Sequence, residues 1–355
     1  MNKYDVIVLG AGPSGISCAV RLSQLGKKVA IIERDYIGGI CTNWGCTPSK
    51  AMIESAKMAK HVRSSPAYGI YHTNMRVEFG RVAERRDAMV RNAREEQTAL
   101  LMHHGVEIFQ GEGELIDNHT VRVHHGKLET DGETMTYHGA KTDLFGETMV
   151  IGTGSTPLLP PRIHPQDSSL ANSNRMITVN SIPESLTIIG GGVIGLEFAT
   201  IFSNLGSKVT VIEYQDRLLY KLDPEISTEM QVQLTRVGVK VLTGHCVNAI
   251  HNGHMRVENL ETNEEFDMYS PKILMAIGRK AVIKEEAYDR IGLDFTEKGI
   301  IVNTFMQTNL DGVWAIGDAT GESILAHVGI QQGIVCAENI VALDEGHDLH
   351  EVDYR

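Results

Sequence analysis

Two cysteines, Cys41 and Cys46, stand five positions apart in the run GGICTNWGCTPSK, residues 38–50. Thiols this close in sequence can carry electrons by opening and closing a disulfide, a reaction in which a thiolate attacks sulfur. On a regular helix, positions i and i+5 stand about 7.5 Å apart along the axis alone, beyond the roughly 6.8 Å that a disulfide tolerates. A bridge therefore requires Cys41 to lie in a distorted first turn, and Gly38, Gly39, Gly45 and Pro48 supply the irregularity. Such a bridge is strained and exchangeable, unlike a stabilising staple. The competing readings are two unrelated thiols or half of a zinc site. A zinc site needs four ligands at short spacing, and no second Cys or Cys/His pair accompanies this one, so no metal is expected. Cys18, Cys246 and Cys336 lie among apolar residues and read as small buried hydrophobes.

The cysteines follow directly on YDVIVLGAGPSGISCAVRLSQLGKKVAIIE, which reads as an apolar strand, a glycine turn, an amphipathic helix and a second apolar strand closing on Glu33. In this βαβ unit Gly10 permits the tight turn, Gly12 lets the backbone approach a pyrophosphate, and Gly15 lets the helix pack on the strand. The pyrophosphate meets the unpaired N–H groups and positive dipole end of the helix, while Glu33 is placed to accept both hydroxyls of an adenosine ribose. The unit returns at SLTIIGGGVIGLEFATIFSNLGSKVTVIE, with Gly190, Gly192 and Gly195 as its triad and Glu213 as its terminal acid. Chance could produce one match in a chain with 35 glycines, but the two copies share the spacing 10 to 33 and 190 to 213. Two bound dinucleotides are expected. A 2′-phosphate against Glu213 would bring two anions together, whereas a free 2′-hydroxyl donates to it, so the second unit reads as taking NAD(H). Arg217 works against this, because a nearby arginine is how NADP-binding units hold the extra phosphate.

The pattern GGxCxxxGCxPSK resembles the redox-active signature of the glutathione reductase and dihydrolipoamide dehydrogenase family, and the resemblance covers essentially all 355 residues. It implies FAD in the first unit and NAD(H) in the second, with electrons passing between a dithiol/disulfide and NAD(H) through a Cys41–Cys46 redox disulfide and FAD. It implies that Cys41 is the interchange thiol and Cys46 the thiol against the isoalloxazine, with Lys50 near flavin N5 and paired with Glu197 of the GLE run. Lys50 and the helix N-terminus should then favour the thiolate of Cys46.

Further motifs stand in family order. TNLDGVWAIGDATG, residues 308–321, resembles the second FAD motif, which implies that Asp318 accepts from the ribityl chain and that Thr308 opens the strand turn. MVIGTGSTP, residues 149–157 with Thr153 and Gly154, and ILMAIGRK, residues 273–280 with Gly278, resemble the strands that close the two nucleotide-binding regions. Gly39 and Ala326 complete the implied cofactor contacts, and Gly152, where the family usually has alanine, should be without functional consequence.

Within the family, Val193 in place of a gating tyrosine, the ILAH run at 324–327 and the acidic Glu213 favour the dihydrolipoamide dehydrogenase branch. The presence of Cys46 argues against soluble transhydrogenases, and the lack of a further C-terminal cysteine pair argues against mercuric reductases. Thr42, Trp44 and Thr47 depart from the usual small aliphatic residues, and Trp44 would reshape the approach to Cys41. Another disulfide reductase, or an NADH oxidase or diaphorase of the same family, is therefore the alternative enzyme. A non-catalytic FAD- and NAD-binding module is the alternative from another class, opposed by the full set of Cys41, Cys46, Lys50 and Glu197.

The expected fold class is α/β, with two Rossmann-like dinucleotide-binding domains of the glutathione reductase type. The expected boundaries are 1–150 for the FAD domain with the redox disulfide, 151–278 for the NAD domain, 279–345 for a return segment completing the FAD domain, and 346–355 for a tail toward a missing interface domain. Residues 52–104 read as long polar-amphipathic helices. Family members continue about a hundred residues further, a typical domain length, into a domain that builds a homodimer and supplies a His-Glu base. The chain thus reads as a truncated form that loses most dithiol turnover and keeps NADH-dependent dye reduction. His327, His347 and His350 are not promoted to that role. The substrate class is a small-molecule or lipoyl-domain dithiol or disulfide. A net charge of −12 with no Lys/Arg stripe argues against nucleic acid and anionic membrane. No apolar run reaches the ~20 residues of a membrane span, and the N-terminus runs straight into a strand, so a cytoplasmic location is expected.

Overall fold

The computed structural model describes residues 2–128, 135–160, 163 and 167–354; the outermost residues of the first and last expected segments, Met1 and Arg355, lie outside these. The chain opens with β1 (Asn2–Leu9), α1 (Pro13–Gln24) and β2 (Val29–Glu33), followed by a short helix α2 (Gly39–Asn43) and two long ones, α3 (Cys46–Ser64) and α4 (Phe79–His103). Strands β3 (Glu107–Gln110), β4 (Glu112–Leu115), β5 (Thr120–Leu128), β6 (Met135–Ile151), β7 (Ser155–Pro157) and β8 (Leu170–Ala171) lead to α5 (Ser173–Ile177). A second βαβ run comprises β9 (Ser185–Ile189), α6 (Val193–Leu205) and β10 (Lys208–Ile212). It continues into α7 (Pro224–Arg236), β11 (Lys240–Leu242), β12 (His245–His251), β13 (His254–Asn259), β14 (Glu265–Tyr269) and β15 (Ile273–Met275). The last elements are β16 (Arg279–Ala281), α8 (Glu285–Ile291), β17 (Val313–Ala315) and α9 (Ala326–Glu345).

Contacts divide the chain into two units, the first made of residues up to Asn43, Val90–Thr156 and everything from Arg279, the second of Trp44–Met89 and Pro157–Gly278. In the first unit the strand order is β3-β2-β1-β6-β5-β4, with β17 also on β6. The apolar runs of β1 and β2 are buried on both faces, as central parallel strands require. Strand β6 serves two ladders. Its end lies parallel between β1, with Leu9 opposite Ile151, and β17, with Ala315 opposite Ile151, while its beginning pairs antiparallel with β5. Helix α1 packs on α9 through glycine: a Cβ on Gly333 would stand 2.3 Å from the Ser14 carbonyl oxygen. Cys18 and Cys336 are fully buried in this layer beside Ala19, Leu22 and Ile340, and burial pushes the Cys336 thiol well up from its ordinary value.

The second unit holds a five-stranded parallel sheet in the order β11-β10-β9-β15-β8 and a separate antiparallel meander, β12-β13-β14. Leu196, Ala199 and Phe202 of α6 share one apolar cluster with Met52, Ala56 and Ala59 of α3, which fixes the redox helix against the helix of the second glycine turn. Arg85 donates to the Ala51 carbonyl at 2.7 Å, and the almost fully buried Arg86 donates to the Ile177 carbonyl at 2.7 Å, so α4 is tied to both α3 and the end of α5.

Candidate active site

The two glycine turns are built alike. Gly10 has φ +102° and Gly190 φ +113°, a region open to glycine. A Cβ would stand 2.2 Å from the Gly152 carbonyl oxygen at the first and 2.3 Å from the Ala276 carbonyl oxygen at the second. Gly15 and Gly195 each lie so close to the carbonyl of the turn glycine that a Cβ would be at 1.9 and 2.1 Å. Gly12 and Gly192 differ: both are N-caps with extended ψ, no side-chain cap and open space where a Cβ would be. The first-turn N–H groups of α1 and α6 thus have no capping side chain, and the adjoining space suits a pyrophosphate held by backbone donors. Dinucleotides fit both turns. Gly39, with φ +56°, closes on the first of them, since its Cβ would stand 2.7 Å from the Gly12 Cα.

The terminal acids repeat the same geometry. Glu33 Oε2 accepts from the Ala11 N–H at 2.7 Å and Oε1 from the Asp35 N–H at 2.8 Å. Glu213 Oε2 accepts from the Gly191 N–H at 2.5 Å and Oε1 from the Gln215 N–H at 2.7 Å. Each oxygen retains a lone pair for a ribose hydroxyl. Arg217 Nη2 donates to the Tyr220 carbonyl at 2.8 Å and the guanidinium lies over the Tyr220 ring, while its buried Nε has no hydrogen-bond partner among the described residues.

Burial pushes the Glu33 carboxyl up from its ordinary range, opposed by the Asp35 and Ala11 N–H groups. A raised folded-state value means that the folded protein binds more protons between the unfolded and folded values. This contribution to stability therefore falls as pH rises through the window just above the ordinary carboxylate range. In calorimetry of the nucleotide-free protein, the melting temperature of wild type minus that of Glu33→Gln should fall across this window; a difference independent of pH would contradict it.

Cys41 is half-buried in α2, and Cys46 is exposed as the first residue of α3. The intervening Trp44–Gly45 breaks the chain into two helices where the spacing alone suggests one helix with a distorted first turn. Gly45 caps α3 without a side-chain hydrogen bond, so Cys46 stands at the positive end of a 19-residue helix. One turn on, Lys50 Nζ pairs with Glu197 Oε1 at 2.5 Å, and Glu197 lies in the second turn of α6. Val193, which opens α6, is 60% exposed.

The motif around Asp318 forms a short 3-10 turn, Gly317–Thr320, in the first unit. Gly317 has φ +65°, and a Cβ there would stand 2.6 Å from Ser14 Oγ, so this turn sits directly on the start of α1. Thr153 Oγ1 donates to the Val282 carbonyl at 3.2 Å, and the Gly154 carbonyl accepts from the Val282 N–H at 2.9 Å. Thr308 Oγ1 donates to the Val313 carbonyl at 2.7 Å and accepts from the Leu310 N–H, closing the turn before β17. Ala326 is the first residue of α9, whose N-cap, Leu325, offers no side-chain bond. In the second unit the Gly278 carbonyl, at φ +132°, accepts from the Leu158 N–H at 3.0 Å. Three residues that the motifs did not single out also shape this region: Ser155, Arg279 and Gln332. Ser155 and Arg279 lie within the runs MVIGTGSTP and ILMAIGRK, and Gln332 is a glutamine inside the apolar helix run GIQQGIVC, but nothing in those runs marks the three as partners.

The sequence profile described as pyridine nucleotide-disulphide oxidoreductase matches residues 4–333. The chain belongs to that family. It is similar to the dihydrolipoyl dehydrogenase of Acholeplasma laidlawii, 32% identical over 353 residues covering 98% of each chain. It is 35% identical to the dihydrolipoyl dehydrogenase of Chlamydia muridarum over 358 residues, covering 100% of this chain and 73% of that one. Among solved structures it resembles the HOCl-induced flavoprotein disulfide reductase RclA of Escherichia coli, in its Cu(II) complex, with a TM-score of 0.81 and 26% identity over 96% of this chain and 71% of that one. The α/β fold of two dinucleotide-binding parts is that of the glutathione reductase type, and the protein is an oxidoreductase of this family that uses FAD and NAD(H).

Proposed function

We propose that the chain acts as a dihydrolipoyl dehydrogenase-like enzyme on a small-molecule or lipoyl-domain dithiol, with Cys41 and Cys46 as its exchangeable disulfide. The observation that carries this reading is the helix start at Cys46. It combines a thiol at an uncapped N-terminus, a lysine one turn along the same face, and an ion pair from that lysine to α6, the helix of the second glycine turn. This setting stabilises a thiolate at Cys46, and the substrate sulfur attacks or is attacked at Cys41. FAD, when bound, supplies the two-electron relay between the thiols and the nicotinamide. On this reading Gly10, Gly12, Gly15, Glu33, Gly39, Thr153, Gly154, Asp318 and Ala326 hold FAD, and Gly190, Gly192, Gly195, Glu213 and Gly278 hold NAD(H). The proposed division of the chain is 1–150 and 279–345 for FAD and 151–278 for NAD(H); the contact grouping agrees with it for the Gly10, Asp318 and Gly190 turns but sets residues 44–89 with the Gly190 turn. The Glu213 carboxylate at the end of β10 supports NAD(H) over NADP(H), because a 2′-phosphate there would meet a second anion. A reducing, cytoplasmic setting agrees with the buried thiols of Cys18 and Cys336. No described helix is long and apolar enough to cross a membrane. Homodimerisation is part of the same proposal.

Anaerobic titration with NADH tests the reading. A long-wavelength thiolate-to-flavin band at two electrons is expected, and simple bleaching of the flavin would leave only a nucleotide-binding module. The Lys50–Glu197 pair gives a second test. The Lys50 side chain is 62% exposed, so the pair adds only ~0–1 kcal/mol to stability. Glu197→Gln should therefore melt with wild type but lose about tenfold in NADH-driven turnover, equivalent to ~1.4 kcal/mol in the barrier.

A further inference from the structure

Asp318 is held by a relay of side chains from strands distant in sequence. Ser155 Oγ donates to Asp318 Oδ2 in a short hydrogen bond. Arg279 Nε donates to the same Ser155 Oγ at 2.8 Å, and its Nη2 donates to the Ser155 carbonyl at 2.7 Å. Ser155 is buried. A hydroxyl has one proton, and with its oxygen already accepting from a guanidinium that proton is directed at the carboxylate. One lone pair of Asp318 Oδ2 is thereby engaged, whereas among the described residues no side chain or N–H donates to Oδ1, which is the more open of the two oxygens. The turn is fixed from its other end as well, because the fully buried Gln332 accepts from the Gly317 N–H through Oε1 at 2.7 Å.

We infer that Arg279 is a positioning residue for flavin binding: it acts through Ser155 to set the rotamer of Asp318, leaving Oδ1 for a hydroxyl of the flavin's sugar-alcohol chain. The inference rests on the proposed role of Asp318. The relay is charge-assisted throughout, guanidinium to hydroxyl to carboxylate, so its members act as one unit and their losses do not add.

The test is a titration of flavin-free protein with FAD, followed by flavin fluorescence, for Arg279→Met, Ser155→Ala, the double variant, Arg279→Lys and Asp318→Asn. Arg279→Met and Ser155→Ala should each weaken FAD binding on the order of tenfold to a hundredfold, the range for hydrogen bonds to charged groups. The double variant should be no weaker than the worse single variant by more than about threefold, and Arg279→Lys, which keeps one charged donor, should lose less than Arg279→Met. Losses in the double variant that multiply would overturn the relay. So would a Ser155→Ala variant with wild-type affinity, which keeps the test open if Arg279→Met fails to fold. If Asp318→Asn itself binds FAD as wild type does, the underlying assignment of Asp318 fails; if Asp318→Asn is weakened while Ser155→Ala and Arg279→Met are not, the relay alone fails.

Discussion

Cys46→Ala should lower NADH-dependent reduction of a small disulfide by at least about 10³-fold, the scale on which removal of a reacting nucleophile acts. The size of the effect follows from the placement of the residue. Cys46 is the first residue of α3, exposed, with Gly45 as a cap that offers no side-chain bond, so the helix end favours an anion on sulfur. Lys50, at i+4, adds a cation on the same face and is itself anchored by Glu197. Alanine removes the sulfur while leaving helix, lysine and anchor in place, and on the proposed reading it deprives Cys41 of its exchange partner. Dye reduction by NADH, which bypasses the thiols, should stay within a few-fold of wild type, and the long-wavelength band should not develop. A variant that retains disulfide turnover would show that Cys46 is not the electron-passing thiol, and loss of dye reduction as well would point to a damaged nucleotide site.

Substitution of two glycines in the second turn should separate folding from binding. Gly190→Ala places a Cβ 2.3 Å from the Ala276 carbonyl oxygen at φ +113°, so β15 must move or the turn must break. A loss of about 4 kcal/mol or more is expected, the range of severe backbone and packing conflicts. Gly192→Ala meets nothing within 4 Å and has φ −81°, which any residue adopts. Its stability should stay within ~0.5 kcal/mol of wild type, yet on the proposed reading the methyl group stands where a pyrophosphate would meet the α6 N–H groups. NADH affinity should fall about a hundredfold, ~2.7 kcal/mol. Denaturant unfolding and NADH titration of both variants check this. A Gly192→Ala protein with wild-type affinity would remove the second turn from the nucleotide site.

The local units were legible in sequence because their causes are local. The apolar runs, glycine spacings and terminal acids at Glu33 and Glu213 lie within about two dozen residues of each other and predicted β1-α1-β2 and β9-α6-β10. The irregularity around Cys41 was likewise readable from Gly38, Gly39 and Gly45, although the backbone resolves it as two helices. What sequence concealed is long-range. Ser155 reaches Asp318 across 163 positions and Arg279 across 124, and no periodicity marks residues that meet only after the strands are assembled. The dual pairing of β6 was hidden for the same reason, since β17 comes from residues 313–315. The grouping of residues 44–89 with the second unit depends on Met52, Ala56 and Ala59 finding α6, an apolar match that their own helical pattern cannot specify.

The two stapled turns bear on how quickly nucleotides come and go. Because Glu33 and Glu213 already bind the N–H groups on both sides of them, each turn is shaped before any ligand arrives. Little loop ordering then remains to slow capture, and arrival should follow encounter in a single kinetic phase. Differences between one nucleotide and another should then fall on the escape step, so that residence time, and not speed of entry, is the quantity on which the proposed sites would discriminate.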